Sequence, residues 1–116
     1  MELRRRIPRQ AAGWSGKYKI ESDRRAEWHD CLVIDMSILG VGLALYGAVP
    51  TDLVGEQLVV EVDTPIGTSV SIRLVGEVKY VTSVPQGGVR VGLEFVGLSP
   101  TERSILNALE LMQVAW

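Results

Sequence analysis

From Val70 to Tyr80 the chain alternates without a break. Val70, Ile72, Leu74, Gly76, Val78 and Tyr80 fall on one side, and Ser71, Arg73, Val75, Glu77 and Lys79 on the other. A helix would scatter the two sets around its circumference, whereas an extended strand sends them to opposite faces. The run is long for a strand in a small flat sheet, and Gly76 interrupts it, so a bend or bulge is expected there.

The same period of two recurs elsewhere. Leu58, Val60 and Val62 alternate with Val59 and Glu61, and Val89, Val91, Leu93 and Phe95 with Arg90, Gly92 and Glu94. Between Trp14 and Ile20, Trp14, Gly16, Tyr18 and Ile20 oppose Lys17 and Lys19. Two further strands, roughly Trp28 to Ile34 and Val41 to Tyr46, flank the stretch Asp35-Met36-Ser37-Ile38-Leu39-Gly40. Polar or Gly/Pro-rich segments separate the runs: Glu21–Glu27, Gly47–Asp52, Thr64–Thr68 and Pro85–Gly88. Consecutive short strands joined by turns favour an antiparallel barrel over a βαβ sheet.

Ser99-Pro100-Thr101-Glu102 then announces a helix. Ser99 fits the N-cap, Pro100 the first helical position and Glu102 the third, which together make a capping box. Ile105, Leu106, Leu109 and Met112 follow at helical spacing. The expected fold is all-β: a six-stranded antiparallel barrel, split or Greek-key-like, spanning 14–116 and ending in an α-helix over about 100–113.

At 116 residues and 47% hydrophobic content, the chain suits one domain with a core of its own. No apolar run approaches the roughly 20 residues that span a membrane, so no membrane insertion by this segment is expected. The Arg-rich start lacks an apolar core and cleavage site, which argues against a secretory signal. The lone Cys31 sits in an apolar run and reads as a buried small hydrophobe. With no intrachain disulfide possible, a cytoplasmic setting, or the cytoplasmic face of a membrane protein, is the expectation.

The net charge of −2 is unevenly spread. Arg4, Arg5, Arg6 and Arg9 against Glu2 give the first ten residues +3, so the remainder carries −5. A general nucleic-acid binder is basic over a broad surface, and this body is not. Residues 1–13 read as a flexible arm, with Pro8 opposing helix, and a short basic arm on an acidic domain suits a compact anionic ligand. Guanidinium is a planar fork that binds phosphate bidentately and stacks on flat bases. Taken alone, the arm is also consistent with a solvated charge run, and Asp35–Gly40 with an ordinary β-turn in which Gly40 supplies a conformation other residues resist.

Catalytic and metal-binding readings find little to rest on. His29 has no second histidine or cysteine cluster near it and reads as a strand residue. Asp35 and Ser37 have no base at a recognisable spacing, so neither catalytic residues nor a metal are expected. Gly40-Val41-Gly42 lacks the context of a dinucleotide fingerprint. Trp14 and Trp28 read as barrel-packing residues.

Arg5-x-x-x-Arg9 followed by Asp35-x-Ser37-x-x-Gly40 resembles the two signatures of the PilZ domain family, bacterial receptors for cyclic di-GMP. Both motifs stand in the family's order, separated by two strands, and the barrel and C-terminal helix agree with it. The resemblance implies that Arg5 and Arg9 grip the phosphates and guanine faces of cyclic di-GMP. It implies that Asp35 and Ser37 bind a guanine edge or the ligand backbone, and that Gly40 serves the turn and the close approach. Leu39 departs from the second glycine that many members carry there. Arg4 and Arg6 flank the motif and are candidates for further ligand contacts. The function so implied is non-enzymatic: ligand orders the arm and signals to a downstream protein or a covalently linked effector domain, in exopolysaccharide synthesis, motility or pilus function. One alternative is an interaction module that kept the fold and binds no nucleotide; another is a small barrel binding single-stranded nucleic acid, which the acidic body disfavours.

Overall fold

The computed structural model describes residues 14–114 apart from 24, 26, 48–51, 65–69 and 86, and no side chains at 64, 70 and 111–114. The arm 1–13, with Arg4, Arg5, Arg6 and Arg9, and the terminal Trp116 lie outside the described residues. Six strands precede one helix: β1 (Trp14–Ile20), β2 (His29–Met36), β3 (Gly40–Leu45), β4 (Gln57–Thr64), β5 (Val70–Ser83), β6 (Val89–Phe95) and α1 (Pro100–Val114). They close into a barrel in the order β1-β2-β3-β6-β5-β4, with every neighbouring pair antiparallel.

The inner face is made by the alternating sets. Val33, Leu43, Leu45, Leu58, Val62, Val78 and Val91 are all fully buried. Leu106 and Leu109 of α1 join the same core cluster, with Ile105 packed against it. The capping box is present in both directions. Glu102 N–H donates to Ser99 Oγ (3.1 Å), and Ser99 N–H donates to Glu102 Oε1 (2.8 Å).

Three expectations change. The β5 irregularity lies at Lys79, not Gly76: the register shifts between Val78, opposite Leu93, and Tyr80, opposite Gly92. Gly76 instead allows a close approach, since a Cβ there would lie 2.9 Å from Leu93 Cβ. The extra residue reverses the facing of the rest of the strand, so Tyr80 leaves the inner face and Val81 takes its place opposite Val91. Trp28 precedes β2 rather than starting it. It lies half-buried with Lys19 Nζ 4.7 Å and the Arg73 guanidinium 5.4 Å from its ring centroid, a cation–π arrangement. Tyr46 falls beyond β3 and is exposed.

Cys31 is buried as expected, and His29 is an exposed β2 residue whose ring meets Tyr18 at 5.5 Å. Burial, with the Asp30 charge adding, pushes the Cys31 thiol up to about 12. Burial, then the neighbouring Cys31, also raises Tyr18. Folding thus favours the neutral thiol, a contribution that is whole below the unfolded value near 9.0 and lost as pH climbs toward about 12. The expected outcome is that Cys31 resists alkylation at about pH 8 until the chain is unfolded. Denaturation at rising pH is expected to show a stability decline above pH 9.0 that is shallower in Cys31→Ala.

Candidate functional site

The site begins with a fault in the β2–β3 pairing. Cys31 and Val33 point into the barrel, and strict alternation would send Asp35 in after them. Val33 pairs with Leu43, yet Asp35 pairs with Gly42 and Met36 with Val41, so Ile34 is an extra residue. This bulge turns Asp35 onto the outer surface and gives its inward place to Met36, which is 1% exposed. Asp35 is therefore a strand residue rather than part of the turn. Its carboxylate lies over Gly42, where a Cβ would fall 2.9 Å from Oδ1. The side chain is 8% exposed and engaged by further interactions.

The second bulge, at Lys79, completes a transverse row. Gly42 pairs with Gly92, and Gly92 with Tyr80, whose ring occupies the space a Gly92 side chain would need. Across the outer surface the order is Asp35, Gly42, Gly92, Tyr80: two side chains laid over two glycines. The position of Tyr80 was not legible from its alternation with Val78, because a bulge leaves no mark in the hydrophobic pattern before it.

The turn is three residues long, Ser37–Leu39, and its backbone groups are engaged within the protein. Ser37 N–H donates to the Gly40 carbonyl (2.9 Å). Leu39 N–H and Gly40 N–H donate to Ser37 Oγ at 3.1 and a longer 3.4 Å. Ile38 N–H donates to Glu110 Oε1 of α1 (2.7 Å), and Phe95 N–H donates to the Leu39 carbonyl (3.0 Å). With both oxygen lone pairs of Ser37 turned to the backbone, its hydroxyl proton is what remains to offer a ligand. The amides of residues 37–40 are all engaged, so the turn presents no open nest of N–H groups to a phosphate.

Gly40 does not have the left-handed φ expected of a turn glycine; Gly47, Gly55, Gly87, Gly88 and Gly97 do. What requires glycine at 40 is the Leu93 carbonyl of β6, which a Cβ would strike.

Beside the turn opens a cleft of about 510 Å³, walled by Ser37–Val41, the 92–95 end of β6, Gly97, Leu98, Lys79 and Arg103. Leu39, at 52% exposure, stands at its edge. Lys79 Nζ lies 2.9 Å from Glu77 Oε2, and that bond, with the Glu77 and Glu94 charges, raises its pKa. Among the described residues, no group of three or more His, Cys, Asp or Glu could hold a metal ion.

A family model for the PilZ domain matches residues 3–110. No curated protein sequence matches the chain. Among solved structures, the inhibitor of motility MotI/DgrA from Bacillus subtilis superimposes with a TM-score of 0.77 at 16% identity, covering 92% of this chain and 49% of its own. The PilZ domain of YcgR from Escherichia coli, solved with c-di-GMP, gives 0.73 at 19% identity, covering 97% of this chain and 93% of its own. MrkH from K. pneumonia in its apo state gives 0.71 at 13% identity, covering 99% and 52%. The chain thus spans about half the length of two of these three.

The expected outcome of Gly40→Ala is a loss of about 1–3 kcal/mol, because β3 and β6 must separate to admit the methyl group. Urea denaturation read by tryptophan fluorescence measures it, and a wild-type midpoint would contradict the close approach to Leu93.

Proposed function

The chain belongs to the PilZ domain family, whose model its residues 3–110 match, and on that premise we propose that it is a receptor domain for cyclic di-GMP. The observation that carries this reading is the β2 bulge, which turns Asp35 to the outer face two residues before Ser37, whose hydroxyl closes the turn. An ionised carboxylate only accepts hydrogen bonds and suits the N1–H and N2–H edge of guanine. The Ser37 hydroxyl has its proton left to donate and suits a guanine carbonyl or a phosphate oxygen. Gly42 and Gly92 leave the room in which the Asp35 carboxylate and the Tyr80 ring lie across the outer surface. YcgR's PilZ domain, which shares the fold, was solved with c-di-GMP.

Phosphate neutralisation falls to cations, since the turn's amides are engaged. Arg5 and Arg9 take that role in this reading, with Arg4 and Arg6 as further contacts, closing over the ligand from the arm 1–13. Fixing an arm costs about 1–2 kcal/mol per residue, which ligand contacts must offset, so arm ordering and occupancy rise together. The barrel 14–116 then passes occupancy, without catalysis, to a downstream protein or a linked effector domain on the cytoplasmic side. The processes carried over with the family are exopolysaccharide synthesis, motility and pilus function; the similar MotI/DgrA is an inhibitor of motility.

Calorimetric titration of cyclic di-GMP is expected to give saturable heat with the wild type and none with Arg9→Ala. Gly42→Ala is expected to weaken binding at least about tenfold while staying folded, because its methyl group displaces the Asp35 carboxylate rather than any backbone. No heat from folded wild type would overturn the receptor reading and favour an interaction module, for which the exposed Leu39 at the cleft is the natural contact.

A further inference from the structure

Glu110 is separated from the turn by 72 residues and yet holds it directly. Its Oε1 accepts Ile38 N–H at 2.7 Å in a part-buried setting. Ile38 lies between the two residues whose side chains or backbone define the ligand-facing turn: Ser37, which caps it, and Leu39, whose carbonyl is fixed by Phe95. No other bond among the described residues reaches the Ile38 amide. A carboxylate acceptor makes a shorter and stronger bond than a neutral one, so this contact sets the turn's position more firmly than the longer Ser37 bonds do.

The same helix also walls the cleft. Arg103 and Glu110 are seven residues apart in α1, two helical turns, and so lie along one stripe, with Leu106 between them in the core. Arg103 lines the cleft together with Ser37–Val41. A molecule in the cleft therefore meets both the turn and the helix that Glu110 joins. Once Pro100–Val114 is docked by Leu106 and Leu109, the turn is held in place; where α1 lifts, Ile38 N–H loses its acceptor.

We propose that Glu110 is the positioning residue of the Ser37–Gly40 turn and that, through its bond to Ile38, ligand affinity is coupled to the docking of α1 on the barrel. The ligand half of this inference rests on the cyclic di-GMP reading; the latch itself does not. Coupling of this kind is reciprocal, so a partner that pulls α1 away lowers ligand affinity by the factor by which ligand opposes that partner. The helix becomes a second output of the site, separate from the arm.

The test compares wild type, Glu110→Ala and Glu110→Gln by amide hydrogen exchange at Ile38 and by calorimetric titration of cyclic di-GMP. Glu110→Ala is expected to speed Ile38 exchange and weaken cyclic di-GMP binding, each by about tenfold. Glu110→Gln, whose amide oxygen still accepts, is expected to restore most of both. A merely structural role would lower stability without singling out Ile38 and would leave affinity unchanged in the folded protein. Unchanged Ile38 exchange in Glu110→Ala overturns the latch, and changed exchange with unchanged affinity overturns the coupling. Should Glu110→Ala not fold, Glu110→Met, which keeps the side-chain stem but no oxygen acceptor, decides: faster Ile38 exchange with weaker affinity supports the proposal, and wild-type exchange or wild-type affinity overturns it. Wild type that takes up no cyclic di-GMP, with Ile38 protection still dependent on Glu110, overturns the receptor reading and upholds the latch.

Discussion

A closed barrel with a filled interior allows each strand only two facings, and this constraint governs the site. Val33, Leu43, Val78 and Val91 are fully buried, so no strand can slip by one residue without driving polar groups into the core. A carboxylate that must reach the outer surface at an inward position has one inexpensive route, an extra residue in the strand before it. Ile34 is that residue for Asp35, and Lys79 for Tyr80. The two bulges lie on opposite sides of the β3–β6 pair and deliver their side chains onto Gly42 and Gly92 from either side. The site is thus a local exception to the alternation that makes the barrel.

That exception also marks the limit of what the sequence discloses. The six strands, their order along the chain, the inward sets up to the two bulges and the Ser99–Glu102 capping box were legible, because period and cap chemistry are local properties. Both signature motifs were legible too, as spacings. The facing of Asp35 was not, since Ile34 is an ordinary β-branched strand residue whether or not it is paired. Gly76 looked like the irregular position on β5 because glycine often marks one, yet the bulge took Lys79, and Gly76 answers the nearness of Leu93. Glu110 carried no signal at all: its partner is 72 residues away, and nothing in a helix of this composition distinguishes a carboxylate that reaches a distant amide from one in solvent.

Gly40 illustrates the same limit from the other direction. A glycine that closes a turn is most simply read as a residue in the left-handed region. Here Gly40 has no such conformation, and Ser37 Oγ gathers the Leu39 and Gly40 amides and closes the turn by side-chain bonding. The requirement for glycine comes from the neighbouring strand, through the Leu93 carbonyl. The motif's serine and glycine therefore do different work: one folds the turn, and the other lets β3 lie close against β6.

The division of hydrogen bonds within the turn bears on how such a site can act as a switch. Were the amides at 38–40 open, an anion could bind there by itself, and the arginine arm would add affinity without being required. They are instead spent on Ser37 and Glu110, and the Leu39 carbonyl on Phe95. In the cyclic di-GMP reading the barrel then supplies a carboxylate acceptor and a hydroxyl donor, a set that can orient a purine edge but neutralises no phosphate. Charge compensation would then fall to cations: of the two that wall the cleft, Lys79 is paired with Glu77 and Arg103 stands on α1, and the arm carries more. In the same reading, a barrel surface that orients a base without neutralising phosphate leaves that task to the arginines of the arm. On that reading occupancy is tied to the arm's position, which a self-sufficient pocket on the barrel would not do.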